Sequence, residues 1–155
     1  MSSIHNVFVA HRHEDDGLVG DLKSLLEGRG VEVRDASITD DKPNRASNPD
    51  YIKQQILAPN IKWAGKVIVL ITPDTKNHEW VDWEIEYAQK ADKLIIGVWA
   101  HGHAECELPD PLKKFADAVV GWNADKIIQA LNGERISEDP SGTPRENQLV
   151  KRIDC

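Results

Sequence analysis

Val67-Ile68-Val69-Leu70-Ile71 is apolar at five consecutive positions and β-branched at four of them. A run that is apolar at every position, not at every second one, suits a strand covered on both faces, as in a parallel sheet. Similar runs occur on either side of it. They are Val7-Phe8-Val9-Ala10, Leu94-Ile95-Ile96-Gly97-Val98-Trp99, Ala118-Val119-Val120-Gly121-Trp122, and the weaker Val31-Glu32-Val33 entered through Gly28-Arg29-Gly30. Helical patterns separate them. Leu18, Leu22, Leu25 and Leu26 repeat at helical spacing, and Gly28 and Gly30 end that helix. Asn48-Pro49-Asp50 reads as a capped start running through Ile52 and Ile56, with Pro59 bending or ending it. Further helices are predicted over Glu79–Ala91, Asp110–Ala116 and Ala124–Leu131, the last capped by Asn123 and stopped by Gly133.

Strand and helix alternate five times, which predicts an α/β three-layer sandwich with right-handed crossovers. The flavodoxin-like strand order 2-1-3-4-5 is the expected arrangement of its five-stranded parallel sheet. At 155 residues the chain is expected to be one domain over residues 1–133 with an appended tail. That tail, Glu134–Cys155, is polar, contains Pro140 and Pro144, and has only Ile136, Leu149, Val150 and Ile153 to dock with. It is expected to pack loosely and to be dispensable for folding.

Composition narrows the function. Apolar residues make up 40% and charged residues 29%, as in a soluble globular protein. A net charge of −7 gives no electrostatic reason to bind nucleic acid or an anionic membrane. No apolar stretch approaches the ~20 residues that span a bilayer. Met1–Asn6 has neither a basic n-region nor an apolar h-region, so no signal peptide is expected. Two cysteines, Cys106 and Cys155, are too few for a disulfide framework, and a cytoplasmic location is expected.

Sites in such sheets form outside the carboxyl ends of the strands. The informative anomaly lies on the third long helix. At about 100° per residue, Trp80, Trp83, Tyr87, Ala88 and Ala91 share one arc, with Val81 and Ile85 widening an edge. Asp82, Glu86, Gln89 and Lys90 lie opposite, yet Glu84 falls near the middle of the apolar arc. A carboxylate there must be paired, protonated or open to a cleft, because burying an isolated charge is very costly. The helix macrodipole adds support near an N-terminus. The structural alternative is bonding to backbone donors or pairing with Arg12 or Arg34. Asp15-Asp16 invites comparison with phospho-receiver domains, but no Asp ends the third strand and no Lys ends the fifth. His11-x-His13 and His101-x-His103 with Cys106 match no zinc spacing, so no metal is expected. No GxSxG, P-loop or GxGxxG is present.

Over about residues 4–132 the chain resembles the TIR domain family, specifically the TIR-like proteins of the bacterial and archaeal Thoeris antiphage defence type. Asn6-Val7-Phe8-Val9-Ala10-His11-Arg12-His13-Glu14-Asp15 looks like the TIR box. Trp80-Val81-Asp82-Trp83-Glu84 looks like the W-x-x-x-E segment of catalytic TIR domains, and Val33-Arg34-Asp35 ends a strand where the family often places Asp. The resemblance implies cleavage of the nicotinamide N-glycosidic bond of NAD+, giving ADP-ribose or a cyclic isomer. It implies Glu84 as the catalytic glutamate and Trp80 beside the nicotinamide, with His11, Arg12 and Asp35 facing the substrate. NAD+ is then substrate, with no cofactor, and self-association or a partner TIR or effector protein is implied. Ala10 and His11 stand where many TIR domains carry Ser and an aromatic, and the Ala36–Ser47 loop differs from the usual BB loop. A non-catalytic interaction module is therefore the alternative.

Overall fold

Successive side chains of a strand point to opposite faces of its sheet. In β3 (Lys66–Ile71) this sends Val67, Val69 and Ile71 into one apolar cluster and Ile68 and Leu70 into another, all five fully buried. The uninterrupted apolar run is thus one strand with a core on each side. The structure, a computed structural model, describes residues 5–11, 16–34, 58–72, 75, 79–100 and 108–138. Their elements, in chain order, are β1 (His5–Ala10), α1 (Asp16–Leu25), β2 (Val31–Arg34), α2 (Ala58–Trp63), β3, α3 (Glu79–Lys90), β4 (Leu94–Trp99), α4 (Asp110–Phe115), β5 (Ala118–Val120) and α5 (Ala124–Leu131). The five strands form one parallel sheet of order β2-β1-β3-β4-β5, as the alternation predicted.

Helices α2, α3 and α4 cover the face holding Phe8, Ala10, Val69, Ile95 and Trp99. Helices α1 and α5 cover the face holding Val7, Val9, Ile68, Ile96 and Val98. Register fixes the strand ends: Val9 lies beside Ile68, and Ile71 beside Trp99. The Ala100 N–H donates to the Ile71 carbonyl at 2.9 Å and carries the β3–β4 pairing one step further. At the opposite end of the sheet, Lys66 Nζ lies 2.6 Å from His5 Nδ1.

Helix ends follow local chemistry. Gly28 and Gly30 take φ of 77° and 76° after α1, a left-handed geometry that glycine adopts without a Cβ clash. The Asn123 side chain accepts from the Lys126 N–H at 3.1 Å and caps α5. Pro59 is the second residue of α2, in the first turn, where a proline is tolerated because its missing N–H has no helical acceptor to lose. Buried Ala58 and Ile61 seat that helix on the sheet. The helix expected from Asn48–Asp50 through Ile52 and Ile56 lies outside the described residues. On α1, Val19 joins Leu22 and Leu26 as a fully covered residue, while Leu18 and Leu25 are only half-buried.

The tail is the larger correction, because residues 134–138 do not pack loosely. The Val119 N–H donates to the Ile136 carbonyl, and the Glu138 N–H to the Val119 carbonyl, each at 2.7 Å. Ser137 thereby forms an isolated parallel bridge with Val119 along the outer edge of β5. Trp99 Nε1 donates to the Glu138 carbonyl at 2.7 Å, and Glu138 Oε1 accepts from the Gly121 N–H at 3.1 Å. Residues 139–155 lie outside the described residues.

Ending the chain at Gly133 should therefore lower the melting temperature. It leaves the buried Trp99 indole N–H without its acceptor, a loss of about 1–3 kcal/mol, and each kcal/mol is worth about 2–4 °C at this size. A chain ended at Ser141 keeps these bonds and should melt with the full chain. Equal melting of the Gly133 truncation and the full chain would show the edge contacts to be idle. Gly97 generates a second prediction. A Cβ on it would lie 3.0 Å from Ile71 Cδ1 and 3.1 Å from Leu112 Cδ2, so α4 seats against β4 at a point with no side chain. Gly97→Val should cost about 1–3 kcal/mol through overpacking, measurable by denaturant unfolding.

Candidate functional site at the carboxyl end of the sheet

The buried stripe of α3 is Val81, Glu84, Ile85 and Ala88, an i, i+3, i+4, i+7 series. Three of the four are apolar and fully covered, and Glu84 is 4% exposed. The stripe is rotated from the arc read off the sequence. Val81 and Ile85 are central to it, while Trp83 and Tyr87 flank it half-buried, stacked on each other with centroids 5.1 Å apart. Aromatic rings tolerate a flank because their edges can stay in contact with water. Glu84 keeps its place on the covered side under either phase.

Glu84 is the sixth residue of α3, counting from Glu79, and the macrodipole fades within the first turn. The helix end therefore does little for its charge, contrary to the sequence reading. Burial pushes its carboxyl well above the usual carboxylate range. Among the described residues no ion pair or hydrogen bond reaches it. The Arg12 alternative lies outside the described residues, as does the Arg34 side chain.

Two strands end nearby in polar groups. His11 follows β1, 8% exposed, with Nδ1 3.2 Å from the Val9 carbonyl. A carbonyl only accepts, so Nδ1 carries a proton there. Beyond β3 the chain turns on two buried threonines that the sequence reading passed over. The Thr72 N–H donates to Thr75 Oγ1 at 2.9 Å, the two hydroxyl oxygens lie 3.1 Å apart, and Thr75 Oγ1 donates to the Leu70 carbonyl at 3.3 Å. The Thr75 N–H returns to the Thr72 carbonyl at 3.1 Å. This turn fixes the exit from β3 just ahead of α3. Its signal was present as Thr-Pro-Asp-Thr, a composition whose hydroxyls bond their own backbone.

Of the remaining site residues, Trp80 occupies the second position of α3, one turn before Glu84; its side chain is outside the description. Arg12 and Asp35 lie outside the described residues, as do His13, His101, His103 and Cys106. Among the described residues no three His, Cys, Asp or Glu side chains gather to hold a metal, and no helix is long and apolar enough to cross a membrane. A groove of about 460 Å³ between α3 and α4 is lined by Asp82, Glu86, Gln89 and Lys90, on the side of α3 opposite Glu84.

The sequence profile of the TIR-like domain of Thoeris protein ThsB matches residues 8–105, from β1 past β4. No curated protein sequence matches the chain. Among solved structures the chain is similar to the 2-deoxyribosyltransferase of the psychrotolerant bacterium Bacillus psychrosaccharolyticus. The TM-score is 0.60 at 14% identity, covering 79% of this chain and 89% of that one, a likeness of fold. It is also similar to the TIR domains of the activated Roq1 resistosome, with TM-score 0.42 and 19% identity over 61% of this chain and 57% of that one. The CMP N-glycosidase BcmB of Clostridium botulinum gives TM-score 0.45 and 17% identity over 96% and 98%.

The electrostatics of Glu84 predict a stability signature. Its carboxyl is raised in the folded chain, so the folded state holds a proton that the unfolded state releases first. Stability from this group is full below the ordinary glutamate range and is lost as pH rises through the folded value. Glu84→Gln removes that loss. The variant should equal the wild type near pH 4 and exceed it increasingly above, by at most about 1.4 kcal/mol per pH unit. Urea titrations from pH 4 to 8 measure this, and a variant less stable at every pH would reveal a partner for the carboxylate.

Proposed function

We propose, because the chain belongs to the TIR-like domain family of Thoeris protein ThsB, that it cleaves the nicotinamide N-glycosidic bond of NAD+ to give ADP-ribose or a cyclic ADP-ribose isomer as a signal in antiphage defence. The observation that carries this reading is Glu84, a carboxyl buried in an otherwise apolar helix stripe without a described partner. Local rule-breaking of that kind costs stability and is expected at functional positions. It falls inside the Trp80–Glu84 W-x-x-x-E segment and inside the matched range.

The chemistry suits a single carboxylate. When the C1′–N bond of NAD+ breaks, both electrons go to the pyridinium nitrogen, and nicotinamide leaves neutral. No general acid is needed, whereas ordinary glycosidases require a pair of carboxyl groups. The ribose is left as an oxocarbenium-like cation, and an ionised Glu84 facing it lowers the barrier, more so where water is excluded. Attack on C1′ by water, with loss of its proton, gives ADP-ribose; attack by an atom of the adenosine gives a cyclic product. In this reading Trp80 offers its ring face to the cationic nicotinamide. His11, Arg12 and Asp35, after β1 and β2, hold the remainder of the dinucleotide. NAD+ is the substrate and no resident cofactor takes part. The protein acts in the cytoplasm, with self-association or a partner TIR or effector protein as its context.

The test is product chromatography after incubation with NAD+, with wild type and Glu84→Gln side by side. Gln keeps the shape and removes the charge, and loss of one preorganised electrostatic stabiliser costs on the order of 100- to 1000-fold in rate, about 3–4 kcal/mol. Turnover retained by the variant would sink the assignment of Glu84. Wild-type protein that leaves NAD+ intact, alone and with its assembly partner, would favour the interaction module.

A further inference from the structure

The amino end of the sheet carries two basic side chains that the site at the other rim does not use. His5 opens β1 and Lys66 opens β3. Alternation along the strands puts them on the face of Val7 and Ile68, which α1 and α5 cover. Lys66 Nζ stands 2.6 Å from His5 Nδ1. An ammonium group only donates, so Nδ1 accepts and the imidazole keeps its proton on Nε2. Asn132, the C-cap residue of α5, hydrogen-bonds the His5 ring in the sense that favours its protonated form. Burial acts the other way on both members of the pair and lowers their proton affinity.

What the pair lacks is an acid. Val31 stands beside His5 on β2, and Leu94 beside Lys66 on β4. The charged groups of the same rim are engaged elsewhere or exposed. Arg29 pairs with Asp125, and Lys93 Nζ donates to the Lys62 carbonyl at 3.3 Å. Glu32, Lys62 and Glu134 are exposed. Among the described residues no Asp or Glu bridges His5 or Lys66. His5 is 7% exposed and Lys66 half-buried, so protonating both would set two poorly hydrated cations at hydrogen-bond distance. The arrangement suits a neutral amine beside a base, and a lysine amine in such a setting is a nucleophile.

We propose that Lys66 is a carbamylation site for carbon dioxide, with His5 as the proton acceptor and then the counter-ion. The Lys66 ammonium first loses a proton to solvent. Its nitrogen lone pair attacks the carbon of CO2, forming the N–C bond while one C=O π pair moves to oxygen. His5 Nδ1 takes the proton that the nitrogen then sheds. Lys66 ends as an anionic carbamate and His5 as an imidazolium, so one proton is released per CO2 bound and nothing is oxidised or reduced. CO2 thereby supplies the carboxylate that this rim lacks, and the Asn132 hydrogen bond favours the imidazolium that results. A small uncharged molecule reaches a half-exposed amine without a preformed cavity. The site lies at the far end of the sheet from Glu84 and does not depend on the N-glycosidic reading.

The test traps the carbamate on the full chain. Protein equilibrated with isotopically labelled bicarbonate is alkylated with a trialkyloxonium salt, digested and read by mass spectrometry. The labelled alkyl carbamate should fall on Lys66 in preference to exposed Lys62 and Lys114. Lys66→Arg should abolish it, and His5→Gln, which keeps hydrogen bonding but not basicity, should lower its occupancy. Adding CO2 at constant pH should move the His5 ring resonances of the wild type toward imidazolium and leave them in place in Lys66→Arg. The melting temperature should rise with dissolved CO2 in the wild type and stay fixed in Lys66→Arg, because the ligand binds only the folded pair. Absence of label on Lys66, or label spread equally over Lys62 and Lys114, overturns the inference. So does a His5 ring that stays neutral while Lys66 is labelled. These readings use the wild type and Lys66→Arg, so they decide the matter even if His5→Gln fails to fold.

Discussion

Everything in this fold depends on burying β3 on both sides. Five consecutive side chains at 0% exposure need apolar partners above and below the sheet. A single layer of helices satisfies only one face. The chain therefore distributes α2, α3 and α4 to one side and α1 and α5 to the other. Parallel pairing of β1 and β4 against β3 then brings three carboxyl ends to one rim. His11, the Thr72–Thr75 turn and Ala100 stand there because register leaves them no other place. The opposite rim holds the His5–Lys66 pair, and burial lowers both of their proton affinities. The two ends of one sheet are thus chemically distinct.

Much of this was legible in the sequence because it is periodic. Runs such as Leu94–Trp99 announce strands buried on both faces, and their alternation with helices admits few topologies. Glu84 was legible for the same reason, since a helical phase puts it among apolar neighbours whether the stripe centres on Trp83 or on Ile85. What escaped was non-periodic. Ile136, Ser137 and Glu138 carry no pattern of their own. Their place comes from exposed backbone on the edge of β5 and from an indole N–H on β4, thirty-nine positions away in sequence. The threonine turn escaped because two hydroxyls three apart are ordinary in a loop until both prove buried.

The sequence match and the geometry bear on different links of the argument. The match over residues 8–105 shows the family, and the sheet order shows the architecture. Neither says what a carboxyl does at one position. That question turns on energetics. Replacing Glu84 by a residue like its neighbours Val81 and Ile85 would relieve a desolvation penalty. Its presence therefore works against the packing of the resting fold.

Burial alone does not single out Glu84. Glu138 is also 4% exposed and also carries a carboxyl into the protein. Its Oε1 accepts from the Gly121 N–H, Lys126 Nζ stands 3.9 Å from Oε2, and its own carbonyl receives the Trp99 indole. Such a carboxyl is held in place, and its charge has work to do in the resting fold. Glu84 has equal burial and none of these partners among the described residues. The two residues differ in partnership and not in depth. A buried carboxylate whose donors come from the fold belongs to the architecture, whereas one with no described donor is suited to a partner that arrives from outside. By that criterion Glu138 is structural. Glu84 finds no compensating donor or cation among the described residues, and its burial opposes the charge.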